Sequence, residues 1–267
     1  MRRYIPFLPK HPLVSVIRLS GVIAASNRGG TLSDHGLAPA IERAFAKGKP
    51  AAVALVLNSP GGSPAQSALI AARIRRLAAD RKIPVHAFVE DVAASGGYWL
   101  ACAADDIWVD DSSILGSIGV ISAGFGFADA MARIGVERRV HTAGAEKSML
   151  DPFRPETPED IARLREIQDD IHRAFIAHVQ ARRGDRLRAE QDLFTGRFWA
   201  GRRAVELGLA DGVAHIAPKL KELYGDKLRV QHFGPKRGLF QRFATQLTAE
   251  IATGIEDRAL WSRYGIH

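Results

Sequence analysis

Ala51-Ala52-Val53-Ala54-Leu55-Val56-Leu57 is a continuous apolar run of strand length, and Asn58-Ser59-Pro60-Gly61-Gly62-Ser63 follows it as a loop. An apolar run without polar alternation suits a central strand covered on both faces. From about Pro64 to Ala79, Leu69, Ile70, Ile74 and Leu77 recur at helical spacing, with Arg73, Arg75 and Arg76 snorkelling or facing out. Pro84-Val85-His86-Ala87-Phe88-Val89 then reads as a second strand, Ala93 to Gly97 as a turn, and Tyr98 to Ala104 as a buried helix. Asp106-Ile107-Trp108-Val109-Asp110 is another short strand. Strands alternating with helices in this way predict parallel β-α-β units and a layered α/β fold.

The pattern extends in both directions. Leu13 to Leu19 is a strand, continued past a turn by Ser20 to Ile23, and Leu37 to Ala46 has helical spacing. Thr157-Pro158-Glu159-Asp160 opens a long helix: Thr157 can cap it, Pro158 suits its first turn, and the acids favour its positive end. That helix should reach Arg182 or Arg183 and stop at Gly184. Ala200 to Leu207 is a shorter helix stopped by Gly208, and Leu239 to Tyr264 forms an amphipathic helix. The simplest division is a catalytic domain with an N-terminal arm over 1–217 and a basic, partly helical extension over 218–267.

Composition narrows the class. The chain has 267 residues, 46% of them hydrophobic and 25% charged, which excludes disorder. Its single cysteine, Cys102, cannot form an internal disulfide and sits on an apolar helix, where a core role is expected. Met1-Arg2-Arg3 is basic, but Tyr4 to Lys10 is too short and proline-broken for a signal-peptide core. The uncharged stretch between Asp111 and Asp129 is rich in Gly and Ser and falls short of the ~20 apolar residues of a membrane span. The expectation is a cytoplasmic chain. A formal charge of +8, concentrated toward both ends, leaves room for peripheral contact with an anionic membrane. Aromatic residues do not interleave with those charges, so no nucleic acid partner is expected.

Ser95 is the candidate nucleophile. It stands in Ala93-Ala94-Ser95-Gly96-Gly97-Tyr98, at the junction of a strand and a helix, where glycines let a substrate backbone come close. This is not the G-x-S-x-G elbow, because Ala93 occupies the first glycine position. The competing reading is a tight turn with a helix-capping serine. A nucleophilic serine needs a base. His35, His86 and His141 are available, with Asp91, Asp105 and Asp106 as orienting groups, and no spacing singles out a triad. Lys82 is expected to be solvated. Lys147 lies in a small, moderately apolar loop, and a lysine desolvated in a cleft can act as a base; the competing reading is an exposed loop lysine. The amides of Gly61-Gly62 and Gly96 could hold an oxyanion at the carboxyl edge of the sheet. Gly61-Gly62 lacks either phosphate-loop pattern.

Asn58-Ser59-Pro60-Gly61-Gly62, Ala93-Ala94-Ser95-Gly96-Gly97-Tyr98 and Gly116-Ser117-Ile118-Gly119-Val120 occur in the order seen in the signal peptide peptidase A family, as does Lys147 ahead of Asp151-Pro152-Phe153-Arg154. Gly196-Arg197-Phe198-Trp199-Ala200 through Asp211 also resembles that family, and the likeness covers roughly residues 12 to 217. The resemblance implies a crotonase-like (Clp-protease-like) α/β fold and a serine peptidase with a Ser/Lys dyad. Ser95 takes the nucleophile position and Lys147 that of the general base. Gly62 and Gly96 fall where oxyanion amides are supplied, and Ser117 where a hydroxyl orients the lysine. No metal or cofactor is implied. Substrates would be extended peptides, such as signal-peptide remnants or unfolded segments, with small or apolar residues at the cut. A homo-oligomer with sites near subunit interfaces is also implied. The sequence departs from the family at Glu146, where many members carry an aromatic residue; a carboxylate there could hold Lys147 protonated. Two other functions remain open: a crotonase-type acyl-CoA hydratase or hydrolase, for which no glutamate occupies the motif, and a non-catalytic peptide-binding scaffold at a membrane surface.

Overall fold

The structure, a computed structural model, describes residues 11–25, 30–144, 146–188, 192–234 and 260–265. By its contacts the chain divides into two compact units. The first comprises 1–118 and 175–267, the second 119–174.

The first unit is built on one sheet. Its strands are β1 (Leu13–Ser20), β2 (Ala52–Ser59), β3 (Val85–Ala94), β4 (Asp106–Val109), β5 (Ile114–Gly116), β6 (Phe198–Ala200), β7 (Gly212–Val213) and β8 (Arg229–Phe233). They lie in the order β6-β5-β3-β2-β1-β8, with β4 on the first half of β3 and β7 on β4. Every pairing is parallel except β5 with β6. The apolar run from Ala52 to Leu57 is indeed central, buried between β1 and β3. Each large aliphatic side chain so buried contributes about 1.5–3 kcal/mol, and this drives the strand to the middle of the sheet.

The strands read from sequence are present, with altered ends. β3 continues through to Ala94, where the sequence suggested a turn, because Val92 to Ala94 pair with β5. Three helices follow the early strands: α1 (Asp34–Ala46), α2 (Pro64–Arg81) and α3 (Gly96–Ala101). Ser33 caps α1 by accepting from the Gly36 amide, and Ser63 caps α2 through Gln66. Leu37, Ile41, Phe45, Ile70, Ile74, Tyr98 and Leu100 from these helices join Ile17, Leu19, Leu55 and Leu57 from the sheet in the main core. Cys102 lies in this core, and burial pushes its thiol up to about 12. A second cluster forms on the opposite face, where Leu220 packs with Val14, Val16, Ala54, Val56 and Phe88.

The second unit holds α4 (Ala128–Arg133) and the beginning of α5 (Pro158–Arg183); residues of α5 from Phe175 onward belong to the first unit. Thr157 accepts from the Asp160 amide at 3.1 Å, the expected N-cap, and Gly184 follows the last helical residue. The remaining helices are α6 (Gly201–Glu206) and α7 (Ile216–Tyr224). α7 carries Leu220 onto the sheet, and β8 pairs with β1 beyond it. Of the amphipathic helix read over 239–264, residues 239–259 lie outside the described residues. Among the described residues, no helix is long and apolar enough to cross a membrane.

Candidate functional site

Because β1, β2, β3 and β5 run parallel, the loops that follow them emerge at one edge of the sheet. Three of the sequence motifs meet there. Ser95 follows the last residue of β3 and precedes the first residue of α3. Its backbone is in the left-handed half of conformational space, with φ 52° and ψ −123°. A residue with a Cβ held there costs about 1–3 kcal/mol, which the surrounding structure must offset. The Ser95 amide donates to the Gly116 carbonyl at 2.8 Å, and its carbonyl accepts from Trp99 at 3.0 Å. Its side chain makes no capping hydrogen bond to the helix. The competing reading of a helix-capping serine is therefore not what the structure shows. The hydroxyl is left for other work, on a partly exposed residue between buried neighbours.

The Gly61-Gly62 loop lies against this corner. A Cβ built on Gly61 would stand 2.8 Å from the Ser95 Cβ and 2.9 Å from the Gly96 nitrogen. One built on Gly62 would stand 2.1 Å from the Ile23 carbonyl oxygen, and both residues have positive φ. Only glycine fits such a close approach of two backbones. Ile23 fixes the loop from its other side: its amide donates to Gly61 O at 2.8 Å, and its carbonyl accepts from Ser63 at 2.7 Å. Gly96 is the first residue of α3, so its amide has no acceptor inside the helix. Backbone donors beside a free hydroxyl can stabilise a developing oxyanion.

Ser117 directly follows β5. Its φ is 53°, and its amide donates to Arg197 O on the chain leading into β6. Its hydroxyl accepts from the Tyr264 hydroxyl at 3.2 Å. Sequence reasoning missed Tyr264: a tyrosine 147 positions away gives no local signal of this contact.

Lys147 stands in the second unit, in a series of turns over 146–150, and is exposed, the environment of the competing loop-lysine reading rather than of a lysine desolvated in a cleft. Its amide donates to Gly144 O at 3.3 Å. Glu146 is paired with Arg163, whose guanidinium lies 3.3 Å from the carboxylate. The departure from the family pattern is thus taken up by an arginine on α5.

The histidine readings fare differently. His86 is buried at the opposite end of β3, with Nδ1 2.8 Å from Asp106 and Nε2 2.6 Å from the Tyr224 hydroxyl. Nine positions of strand at about 3.3 Å each separate it from Ser95, which rules it out as the base within this chain. Asp91 accepts from the Asn58 side-chain amide, and Asp105 pairs with Arg75. Among the described residues, no cluster of His, Cys, Asp and Glu could hold a metal ion.

Comparison with known proteins shows the family and the fold. The family model of peptidase family S49 matches residues 78–226, a span that contains Ser95, Gly96, Ser117 and Lys147. A protein of Brucella melitensis biotype 1 named Na(+)/H(+) antiporter NhaA is 45% identical over 286 residues, covering all of this chain and 39% of that protein. A chloroplastic serine protease SPPA of Arabidopsis thaliana is 31% identical over 212 residues, covering 76% of this chain and 31% of that one. This chain therefore spans less than half the length of either relative. Among solved structures, a membrane-bound stomatin-specific protease, 1510-N, in complex with a substrate peptide superposes with a TM-score of 0.54. It covers 87% of this chain and 95% of its own at 17% identity. That likeness is one of fold, and it bears out the Clp-protease-like architecture.

Proposed function

The chain belongs to peptidase family S49, and we propose that it is a serine endopeptidase in which Ser95 is the nucleophile and Lys147 the general base. The observation that carries this reading is the Ser95 corner. A strained serine forgoes capping its helix and sits against two glycine-bearing backbones at the carboxyl edge of the sheet. In the proposed reaction the Lys147 amine takes the Ser95 proton as Oγ attacks the peptide carbonyl. The amides of Gly62 and Gly96 hold the oxyanion, and the Ser117 hydroxyl orients the amine. Lys147 then returns the proton to the leaving amine, and water resolves the acyl-enzyme. Substrates are extended peptides that add as a strand beside the sheet.

Ser95→Ala and Lys147→Ala should each lower turnover of an unstructured apolar peptide by about three orders of magnitude or more, with circular dichroism unchanged. Full activity in either variant would sink the dyad.

A further inference from the structure

Val92, Ala93 and Ala94 alternate across β3. Ala93 belongs to the helix-covered core, so Val92 and Ala94 face the other side of the sheet. Both are fully buried, and the cluster that buries them contains Tyr264, with Ile114 and Trp261 packed at its edge. The ring of Phe198, on β6, meets the Tyr264 ring edge-on at 5.2 Å. The Tyr264 hydroxyl ends on Ser117 Oγ, with Tyr264 7% and Ser117 6% exposed. Trp261 and Tyr264 are three residues apart in one helical turn, closed by the Tyr264 amide donating to Trp261 O at 3.0 Å, and this spacing puts both rings on one side.

We propose that residues 260–265 are an intramolecular occupant of this surface and hold the peptidase in check by claiming the Ser117 hydroxyl. The inference rests on the reading of Ser117 as the group that orients the Lys147 amine. A serine hydroxyl has one proton and two lone pairs. Tyr264 uses one of those lone pairs, and its buried ring closes over Ser117. An amine that bonds this hydroxyl competes with the tyrosine for it, at a residue only 6% exposed. The segment belongs to the same chain, so its docking needs no second molecule. The contact is small and therefore reversible: a peptide that lays an apolar side chain over Val92, Ala94 and Ile114 would evict it. If the segment is seated about nine-tenths of the time, the competent fraction is about one tenth, and its removal raises kcat/KM about tenfold.

The test compares the full chain with one lacking residues 260–267, and with Tyr264→Phe, on an unstructured reporter peptide. The truncated chain should be about tenfold more active and Tyr264→Phe intermediate. A synthetic peptide of residues 260–267 should inhibit the truncated chain competitively. Equal or lower activity of a truncated chain that keeps its circular dichroism spectrum would overturn the proposal. Absence of turnover in every form would instead contradict the peptidase reading. The docking is then decided by fluorescence anisotropy of the labelled 260–267 peptide on the truncated chain. Saturable binding, weakened by Ser117→Ala and by Tyr264→Phe in the peptide, supports the docked tail. No binding overturns it.

Discussion

Ser95 is held where a side chain is disfavoured, between Gly116, which accepts its amide, and the closely approaching Gly61. A Cβ on Gly61 would stand 2.8 Å from the Ser95 Cβ and 2.8 Å from the Ala94 carbonyl oxygen, so the bare glycine sets how closely the two loops approach. Gly61→Ala would force the loops apart and also place a side chain at φ 105°. A displacement near 1 Å at a reacting group costs about 10²-fold in rate, and the backbone conflict about 1–3 kcal/mol in stability. The expected outcome is a loss of kcat/KM of that size together with a lowered urea midpoint. Unchanged kcat/KM would show that the Gly61 approach does not position Ser95. At this scale the sequence was informative where chemistry is local. Ser95, Gly62 and Gly96 could be named from short motifs, since each motif combines small residues with a strand end; Ser117 was named only through the resemblance to a known family. The positive φ of Ser95 could not be read, because it is imposed by Gly116 and by the Gly61-Gly62 loop across the edge of the sheet.

One buried charge pair ties together three elements of the first unit. Arg183, 3% exposed near the end of α5, donates to both oxygens of Asp211 at 2.7 and 3.2 Å and to Gly208 O at 2.9 Å. Asp211 also accepts from the Ile107 amide on β4. The pair thus joins a helix, a turn and a strand. Burial alone would raise the Asp211 carboxyl; the hydrogen bonds and charge of Arg183 outweigh it and hold the group below its ordinary value near 3.8. A depressed carboxyl contributes stability above its unfolded value, and that stability is lost as pH falls through the lower, folded value. Asp211→Asn leaves the guanidinium buried without its partner, at a cost of about 3–5 kcal/mol near neutral pH. The deficit against the native chain should shrink in acid below the ordinary carboxylate range. Urea unfolding at pH 7 and in acid measures this, and a deficit independent of pH would contradict it. The long elements were legible: α2 and α5 begin where proline and a capping hydroxyl place them. The strands β5, β6 and β8 were not. They span three to five residues and lack an alternating pattern, so only their partners in the sheet define them.

Across the whole molecule, the described residues separate the chemistry into parts that local sequence cannot assemble. Ser95, the glycine loops, Ser117 and Tyr264 stand in the first unit, and Lys147 in the second. The layered α/β architecture followed from the strand–helix alternation. The contact of Tyr264 with Ser117 did not, since it joins residues 147 positions apart. The proposed function requires a reactive Ser95. Reaction of the native chain with a fluorophosphonate, followed by peptide mass mapping, tests it most directly. The predicted result is a single adduct on Ser95 that forms far more slowly in Lys147→Ala and is lost in Ser95→Ala. An adduct on another residue, or peptide cleavage that persists with Ser95 unmodified, would contradict the account.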